Sequence, residues 1–301
     1  MKSKNSIITY NDPLIYRKKK QIDETVTMSD EGFPLPSVIE ISESGMCNRK
    51  CVFCPRSDPN YNHVNEFISP KLIKKITLEL KALNYKNLIL FSGFVEPLLD
   101  KNIFNLIRIV RKNLPQANIE MITNGDVLNK NRLLKLYDSG LNCLLISVYD
   151  GIEAEEKMVQ LMKDCKLNEN QFRIRKRYLS EKESFGISLS NRGGMMNNAA
   201  FSIKNPTKSL SRPCFYPNYI FFMDYNGDVI ICNHDWGKKF TVGNMYKSTF
   251  KELWLNKKWQ EARKKLYNGQ RDFSPCDVCL VDGLRMGSLH ARAWKDYSEN
   301  S

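Results

Sequence analysis

The residues best suited to chemistry lie in one short loop, residues 46–55, which holds three cysteines. Cys47, Cys51 and Cys54 are spaced C-x3-C-x2-C, so one loop can direct three thiolates at a single metal centre. A structural zinc ion takes four ligands in a closed tetrahedron, whereas each iron of a four-iron cluster needs its own ligand. Three thiolates would leave one iron of such a cluster open to a small molecule. A zinc loop and three unrelated cysteines are the alternatives.

A second group of cysteines lies toward the C-terminal end of the chain. Four thiols can complete one four-iron cluster, and they can equally hold one zinc ion. Asn226 and Gly227 lie between two apolar runs and predict a hairpin that ends at the second of these cysteines. Cys143 and Cys165 belong to neither group. The four cysteines of this second group are Cys214, Cys232, Cys276 and Cys279.

The chain has 301 residues, enough for about two domains with a buried core. Its hydrophobic content of 42% and charged content of 26% are typical of a water-soluble globular protein. No apolar run reaches the length of a membrane helix, and no secretory signal follows the basic N-terminus. We therefore predict a cytoplasmic protein without membrane contact. In that reducing compartment, clustered cysteines bind metal or do chemistry rather than form disulfides.

The formal net charge of +13 comes from 46 basic and 33 acidic side chains. Such a balance favours an anionic partner: a phosphorylated or nucleotide-linked substrate, an acidic redox protein, or RNA. The lysines are scattered, so a dispersed solvated surface is the other interpretation. We do not expect a dedicated nucleic-acid surface.

Strand and helix patterns alternate with short connections, which predicts an α/β fold with a parallel sheet of six units. A barrel and a doubly wound open sheet share this local pattern. Ser69 and Pro70 begin the first helix, as a cap residue and a first-turn proline should. The predicted strands cover residues 38–41, 87–91, 119–123, 143–148, 172–178 and 185–190, and the helices follow the first four of them.

The cysteine loop, with Phe53 just before its third cysteine, resembles the radical S-adenosylmethionine (AdoMet) superfamily. The run Ser92-Gly93-Phe94-Val95-Glu96-Pro97 resembles the Gly-Gly-Glu-Pro element of that family, with Phe94 and Val95 departing from it. This resemblance implies a partial (β/α)6 TIM-like barrel. Around the four C-terminal cysteines, the chain resembles the SPASM and twitch auxiliary-cluster domains, and its four cysteines place it nearer the shorter twitch type.

Carried over residue by residue, the resemblance implies two sets of binding residues. The expected metal ligands are all seven clustered cysteines, three for the AdoMet-binding cluster and four for the auxiliary cluster. Arg192 is expected to clamp the AdoMet carboxylate or an anionic substrate group. No catalytic side chain is identified. The expected AdoMet-binding residues are Phe53, Ser92, Gly93, Glu96, Pro97, Thr123, Asn124, Ser147 and Arg192.

The cofactors implied are AdoMet and two [4Fe-4S] clusters, with a flavodoxin-type or ferredoxin-type reductant as partner. The implied reaction is radical oxidation or epimerisation at a hydroxyl-bearing carbon of a sugar, aminocyclitol or related small polar metabolite. The positive net charge of the protein is compatible with an anionic substrate. The leftover Cys143 and Cys165 are not placed as hydrogen donors, which favours oxidation. The alternatives are peptide modification and a non-catalytic iron–sulfur or zinc module that binds RNA.

Changes in composition predict a division of the chain into five parts. In order, they are a polar basic leader, the radical AdoMet barrel, a linker, an α+β auxiliary-cluster domain and a C-terminal tail. They span residues 1–35, 36–195, 196–212, 213–283 and 284–301.

Overall fold

Strands and helices alternate along the chain and build one mixed sheet. The computed structural model describes residues 14–187, 189–196 and 205–300. In these residues the strands are β1 Val38–Ser42, β2 Leu88–Phe91, β3 Asn118–Thr123, β4 Cys143–Val148, β5 Phe172–Lys176, β6 Ile220–Asp224, β7 Asp228–Ile230 and β8 Thr241–Asn244. The helices are α1 Leu14–Asp23, α2 Pro70–Ala82, α3 Ile103–Asn113, α4 Lys130–Asp138, α5 Ile152–Asp164, α6 Tyr216–Tyr219, α7 Phe250–Trp254, α8 Lys257–Tyr267 and α9 Ser288–Asn300.

The strands follow the order β5-β4-β3-β2-β1-β6-β7-β8 across the sheet. Neighbours from β5 to β6 are parallel, and the last two pairings are antiparallel. Six parallel strands with helical crossovers confirm the predicted α/β class and its partial-barrel form. Because all six run the same way, the loops after them open at one edge, where α/β barrels carry their functional residues.

The first crossover helix, α2, begins where its cap residues predict. Ser69 accepts a hydrogen bond from the Lys71 backbone N–H at 3.2 Å, and Pro70 occupies the first turn. Leu72, Ile76 and Leu80 repeat at helical spacing and are fully or almost fully buried. Their face packs the helix into the main core and leaves the lysines of α2 toward solvent.

The sixth strand predicted at residues 185–190 is wrong. A 3-10 turn, Glu181–Gly186, occupies the start of that segment, and residue 188 lies outside the described part of the chain. The place beside β1 belongs to β6, which pairs in parallel from Val38 with Ile220 to Ser42 with Asp224. This strand is buried along its whole length and apolar from Ile220 to Met223, so it gains more from the central position.

The segments at both ends of the described chain pack against the barrel. Ile22 of α1 is fully buried in a cluster with Leu88 and Tyr219. Asp23 accepts a hydrogen bond from the backbone N–H of Gly287 at 2.6 Å, which ties α1 to the segment before α9. In α9, Trp294 is 4% exposed. The predicted division into leader, barrel, linker, auxiliary domain and tail stays a prediction.

A cluster of aromatic side chains joins β6 to the C-terminal helices. Trp254 and Trp259 are fully buried. The guanidinium of Arg263 lies 4.0 Å from the Trp254 ring centroid and 3.7 Å from that of Trp294. Such stacking compensates part of the cost of burying an arginine. The cluster fixes α7, α8 and α9 behind the sheet.

The longest helices in the described ranges, α2, α5 and α9, have 13 residues each. A helix that crosses a bilayer needs about 20 apolar residues. No helix in the part of the chain that the structure describes is long and apolar enough for that role. The cytoplasmic location stays a prediction.

Candidate active site

The three-cysteine loop follows β1 and is held by two arginines. Arg56 is 2% exposed; its guanidinium donates to the carbonyl of Gly45 at 2.8 Å and to that of Phe94 at 2.8 Å. It thereby joins both ends of the loop to the segment after β2. The other arginine, Arg49, binds the carboxylates of Asp126 and Asp150 beyond β3 and β4. Buried and bidentate arginine contacts of this kind fix a loop tightly.

All three thiols of this loop face one cavity of about 300 Å³, which we call the cluster cavity. Burial raises the pKa of Cys47 and Cys54, and it raises that of Cys51 to about 12. The backbone N–H of Arg49 donates to the Cys47 sulfur at 3.5 Å. Buried thiols with high pKa values become thiolates only when a cation compensates their charge, as cluster iron would.

Most residues predicted to bind AdoMet line this same cavity, at the ends of successive parallel strands. Pro97 is the exception: it is buried and begins a 3-10 turn, Pro97–Leu99, outside the lining. Because strand ends meet at one edge of a parallel sheet, residues far apart in sequence converge here. Their binding roles stay predictions. The predicted residues that line the cluster cavity are Phe53, Ser92, Gly93, Glu96, Thr123, Asn124, Ser147 and Arg192.

Glu96 joins the loop after β2 to the end of β3. Its carboxylate accepts hydrogen bonds from the Thr123 hydroxyl at 2.5 Å, the Asn124 backbone N–H at 2.6 Å and the Leu98 backbone N–H at 3.0 Å. The side chain is 2% exposed, and burial raises its pKa to about 7. Glu96 therefore positions two neighbouring strand ends besides facing the cavity.

One of the two departures from the family pattern, Phe94, has a packing reason. Phe94 is 3% exposed, and its ring lies 4.9 Å from that of Phe222 and 4.4 Å from that of Trp236. The loop after β2 is thereby joined to the C-terminal half of the chain. Gly93 has a φ of +113°, and a Cβ there would lie 2.9 Å from the Cβ of Ser42. This position accepts only glycine.

Several lining residues escaped the sequence analysis. Glu40 lies within the apolar strand β1, is 3% exposed and accepts hydrogen bonds from Ser92 and Asn233, each at 2.8 Å. Its signal is a carboxylate within the otherwise apolar run of residues 38–41. Arg175 belongs to β5, where arginines alternate with other residues. The lining residues that the sequence did not single out include Lys18, Glu40, Tyr149, Arg175, Asn233, His234 and Trp236.

The four C-terminal thiols also face one space, which we call the auxiliary cavity. Burial raises the pKa of each, to about 11 for Cys214. A Cβ on Gly283 would lie 2.5 Å from the Cys214 sulfur, so the chain here leaves room for the thiol. Arg271 donates to the carbonyls of Arg212 and Pro213, each at 3.0 Å, and holds the segment before the first cysteine. The auxiliary cavity is lined by Cys214, Cys232, Cys276 and Cys279 together.

The donor sets suit the two predicted clusters. Three thiols beside a cavity leave a coordination position for a small molecule, and four thiols around a smaller space can complete a cluster. In the described ranges, no three Cys, His, Asp or Glu side chains are placed to hold a single metal ion. His234 lines both the cluster cavity and the auxiliary cavity, so the two sites are neighbours.

Two family models match the chain. The radical SAM superfamily model covers residues 41–168, and the SPASM model, an iron–sulfur cluster-binding domain, covers residues 214–291. Each match includes one of the two cysteine groups. The expected family resemblance is therefore confirmed in both halves of the chain.

Curated relatives share sequence over the same regions. The S-adenosyl-L-methionine-dependent 2-deoxy-scyllo-inosamine dehydrogenase of Niallia circulans is 28% identical over 243 residues, 81% of this chain and 91% of the relative. A GTP 3′,8-cyclase of Aquifex aeolicus is 30% identical over 125 residues, 40% of this chain and 38% of the relative. The first similarity spans the barrel and the C-terminal segment together.

Solved structures share the fold. The crystal structure of BtrN in complex with AdoMet and 2-DOIA has a TM-score of 0.71 and 26% sequence identity, and the match covers 85% of this chain and 97% of that one. The AdoMet-bound anSMEcpe has a TM-score of 0.52 at 15% identity, covering 88% of this chain and 94% of that one, and shows the fold alone. The two family models, both cysteine groups and these likenesses together show a radical SAM oxidoreductase in which a radical SAM domain is followed by a C-terminal SPASM-type iron–sulfur domain.

Proposed function

We propose that this radical SAM oxidoreductase oxidises a hydroxyl-bearing carbon of a small polyol, sugar or aminocyclitol to a carbonyl. The observation that carries the proposal is the adjacency of the cluster cavity and the auxiliary cavity, which share His234. The similarity to an aminocyclitol dehydrogenase along most of its length supports the same reaction class. An oxidoreductase assignment also replaces the non-catalytic RNA-binding alternative.

Cys47, Cys51 and Cys54 would hold the cluster that binds AdoMet. When bound, that cluster and AdoMet together supply a 5′-deoxyadenosyl radical, which removes a hydrogen atom from carbon. Glu96 and the strand ends that it joins line the space for AdoMet. Phe94 and Trp236 close one wall of the cavity with aromatic surface, which excludes water from the reacting carbon.

The overall reaction balances without an external oxidant other than AdoMet. Alcohol and AdoMet become ketone, methionine and 5′-deoxyadenosine, with release of one proton. The one electron that is needed to cleave AdoMet is released again when the substrate radical is oxidised to the ketone. The four thiols of the auxiliary cavity would hold the group that receives this electron, and a flavodoxin-type or ferredoxin-type protein is the proposed initial reductant.

Oxidation is preferred to epimerisation because neither leftover thiol lies at the site. An epimerase must return a hydrogen atom to the carbon radical, and a thiol is a suitable donor. Cys143 is 1% exposed and packs against Leu145, and Cys165 packs on the main core. Within the described residues, neither thiol lines the cluster cavity.

The test is anaerobic reconstitution with iron and sulfide, followed by reduction in the presence of AdoMet. Two clusters correspond to about eight irons per chain, and 5′-deoxyadenosine should form. Replacing Cys47, Cys51 and Cys54 by alanine should leave about four irons and abolish AdoMet cleavage. Replacing Cys276 and Cys279 should remove the other four irons and spare cleavage. Stoichiometric zinc in the C-terminal site would contradict the proposal.

A further inference from the structure

Below the cluster cavity, the barrel interior continues as a second space of about 230 Å³, which we call the deep cavity. Leu88, Glu120 and Leu145 line it. Each of them lies nearer the N-terminal end of its strand than the residues that face the cysteine loop. The two cavities share eight lining residues, among them Lys18 and Arg175. They therefore form one space that leads away from the thiols.

The side chains that line the deep cavity are strongly positive. Its single carboxylate among the described residues, Glu120, accepts hydrogen bonds from Arg17 at 2.8 Å and from Asn118 at 2.6 Å. Five cations and one carboxylate line it, and one of the cations, Arg285, also lies 3.6 Å from the carboxylate of Asp282, which is not part of the lining. The five cations are Arg17, Lys18, Arg175, Arg192 and Arg285. Like charges gathered in a partly enclosed space repel one another unless an anion joins them.

Arg192 shows most clearly that this charge points inward. Its backbone has a φ of +48°, and its Nε atom is buried without a hydrogen-bond partner among the described residues. Burial lowers its pKa, and the like charge of Arg175 lowers it further. Arg192, Lys18 and His234 line both the cluster cavity and the deep cavity, so these cations converge on the same place.

We propose that the substrate carries an oxyanion, a phosphate or carboxylate group, which Lys18, Arg175 and Arg192 bind in the deep cavity. The inference rests on the proposed function, because it places the hydroxyl-bearing carbon between this group and the thiol loop. AdoMet brings one carboxylate, which one arginine can bind, and leaves the other cations for the substrate. An amine-bearing substrate would meet like charge there and bind more weakly.

Lys18 comes from α1, so the segment predicted as a leader contributes to substrate choice. Arg17, Lys18 and Gln21 form one face of the helix toward the deep cavity. Lys19 and Lys20 of the same helix are exposed, and Lys20 lies 3.7 Å from Glu24. Lys18, inside the site, and Lys19, outside it, are therefore a matched pair for substitution.

The experiment measures binding to the reconstituted, AdoMet-loaded holoenzyme without reductant, so that no turnover occurs. The probes are glycerol 3-phosphate, glycerate, glycerol and 3-aminopropane-1,2-diol, which differ in charge on one small polyol. We expect one or both anions to bind at least tenfold more tightly than glycerol, and the amine to bind least. Comparing glycerol 3-phosphate with glycerate distinguishes a phosphate site from a carboxylate site.

Lys18→Gln and Arg192→Gln should each weaken anion binding about tenfold, with Arg192→Lys recovering part of it. Lys19→Gln should leave binding unchanged. The inference is overturned if no anion is preferred, if neither anion binds, or if Lys18→Gln behaves as Lys19→Gln does. AdoMet cleavage under reduction is assayed separately. If the anions are preferred but AdoMet is not cleaved, the proposed function is rejected and the anion site is retained.

Discussion

At the scale of single residues, Glu96 combines a structural role with a predicted role in binding. It keeps its place in a loop where Phe94 and Val95 depart from the family pattern. Its oxygens accept hydrogen bonds from Thr123, Asn124 and Leu98, so the carboxylate also holds the end of β3 against the loop after β2. Loss of the carboxylate removes a cavity contact and the anchor of two strand ends together.

Glu96→Ala should weaken AdoMet binding at least tenfold and leave both clusters in place. The reason is that hydrogen bonds to a charged group are worth about 1.5–3 kcal/mol, and about 1.4 kcal/mol is a factor of ten. Equilibrium dialysis with AdoMet and iron analysis on the same sample would measure the two effects. Thr123→Val, which removes one donor and keeps the carboxylate, should have the smaller effect. Unchanged affinity in Glu96→Ala would show that the loop has been misassigned.

At the scale of elements, α9 completes the barrel from outside rather than ending in a free tail. His290 is fully buried, and its Nε2 atom lies 2.6 Å from the hydroxyl of Ser37, just before β1. Burial lowers the pKa of His290 to about 4. The docked helix therefore favours the neutral imidazole, so protonation of His290 at low pH should destabilise the folded chain.

Wild-type stability should decline as the pH falls from 7 to 5, in part because of His290. The unfolded chain takes up a proton near pH 6.5, and the folded chain resists it until about pH 4. At about 1.4 kcal/mol per pKa unit, the contribution over this interval is about 2 kcal/mol.

Denaturant unfolding at both pH values would measure this contribution as the difference between the wild type and His290→Gln. The variant should show the shallower pH dependence, because it lacks the imidazole whose pKa burial lowers. Equal pH slopes in wild type and His290→Gln would refute the assignment.

At the scale of the whole molecule, the C-terminal segment supplies a strand of the barrel. β6 pairs with β1 along five residues, and Phe221 and Phe222 on opposite faces of β6 are fully buried. The same segment brings Asn233 and Trp236 to the cluster cavity. The two cysteine groups are therefore built on one sheet, which explains why their cavities are neighbours.

A chain truncated after residue 212 should not fold into a stable barrel. Without β6, the hydrogen-bonding edge of β1 and the surrounding apolar surface would be exposed, which favours aggregation. Near-ultraviolet circular dichroism, limited proteolysis and size-exclusion chromatography should show loss of fixed packing, relative to the full chain. A monomeric truncated protein with a cooperative unfolding transition would contradict this view of the fold.

Much of the site was predictable because its signals are local in sequence. The spacing of Cys47, Cys51 and Cys54 and the position of Glu96 after an apolar strand depend on a few consecutive residues. Helix caps such as Ser69 and strand alternation are likewise short-range, and they predicted five of the six parallel strands at their observed places. These features determined the fold class and the two thiol groups from the sequence alone.

Only the tertiary structure decided which distant segments meet. The sixth parallel strand is β6 rather than residues 185–190, because burial of the apolar run from Ile220 to Met223 beside β1 outweighs a weak local pattern. Lys18, Arg175 and Asn233 come from three widely separated segments, and nothing in their own neighbourhoods marks them for one cavity. Their convergence follows from long-range packing of α1 and β6 on the barrel, which local patterns do not encode.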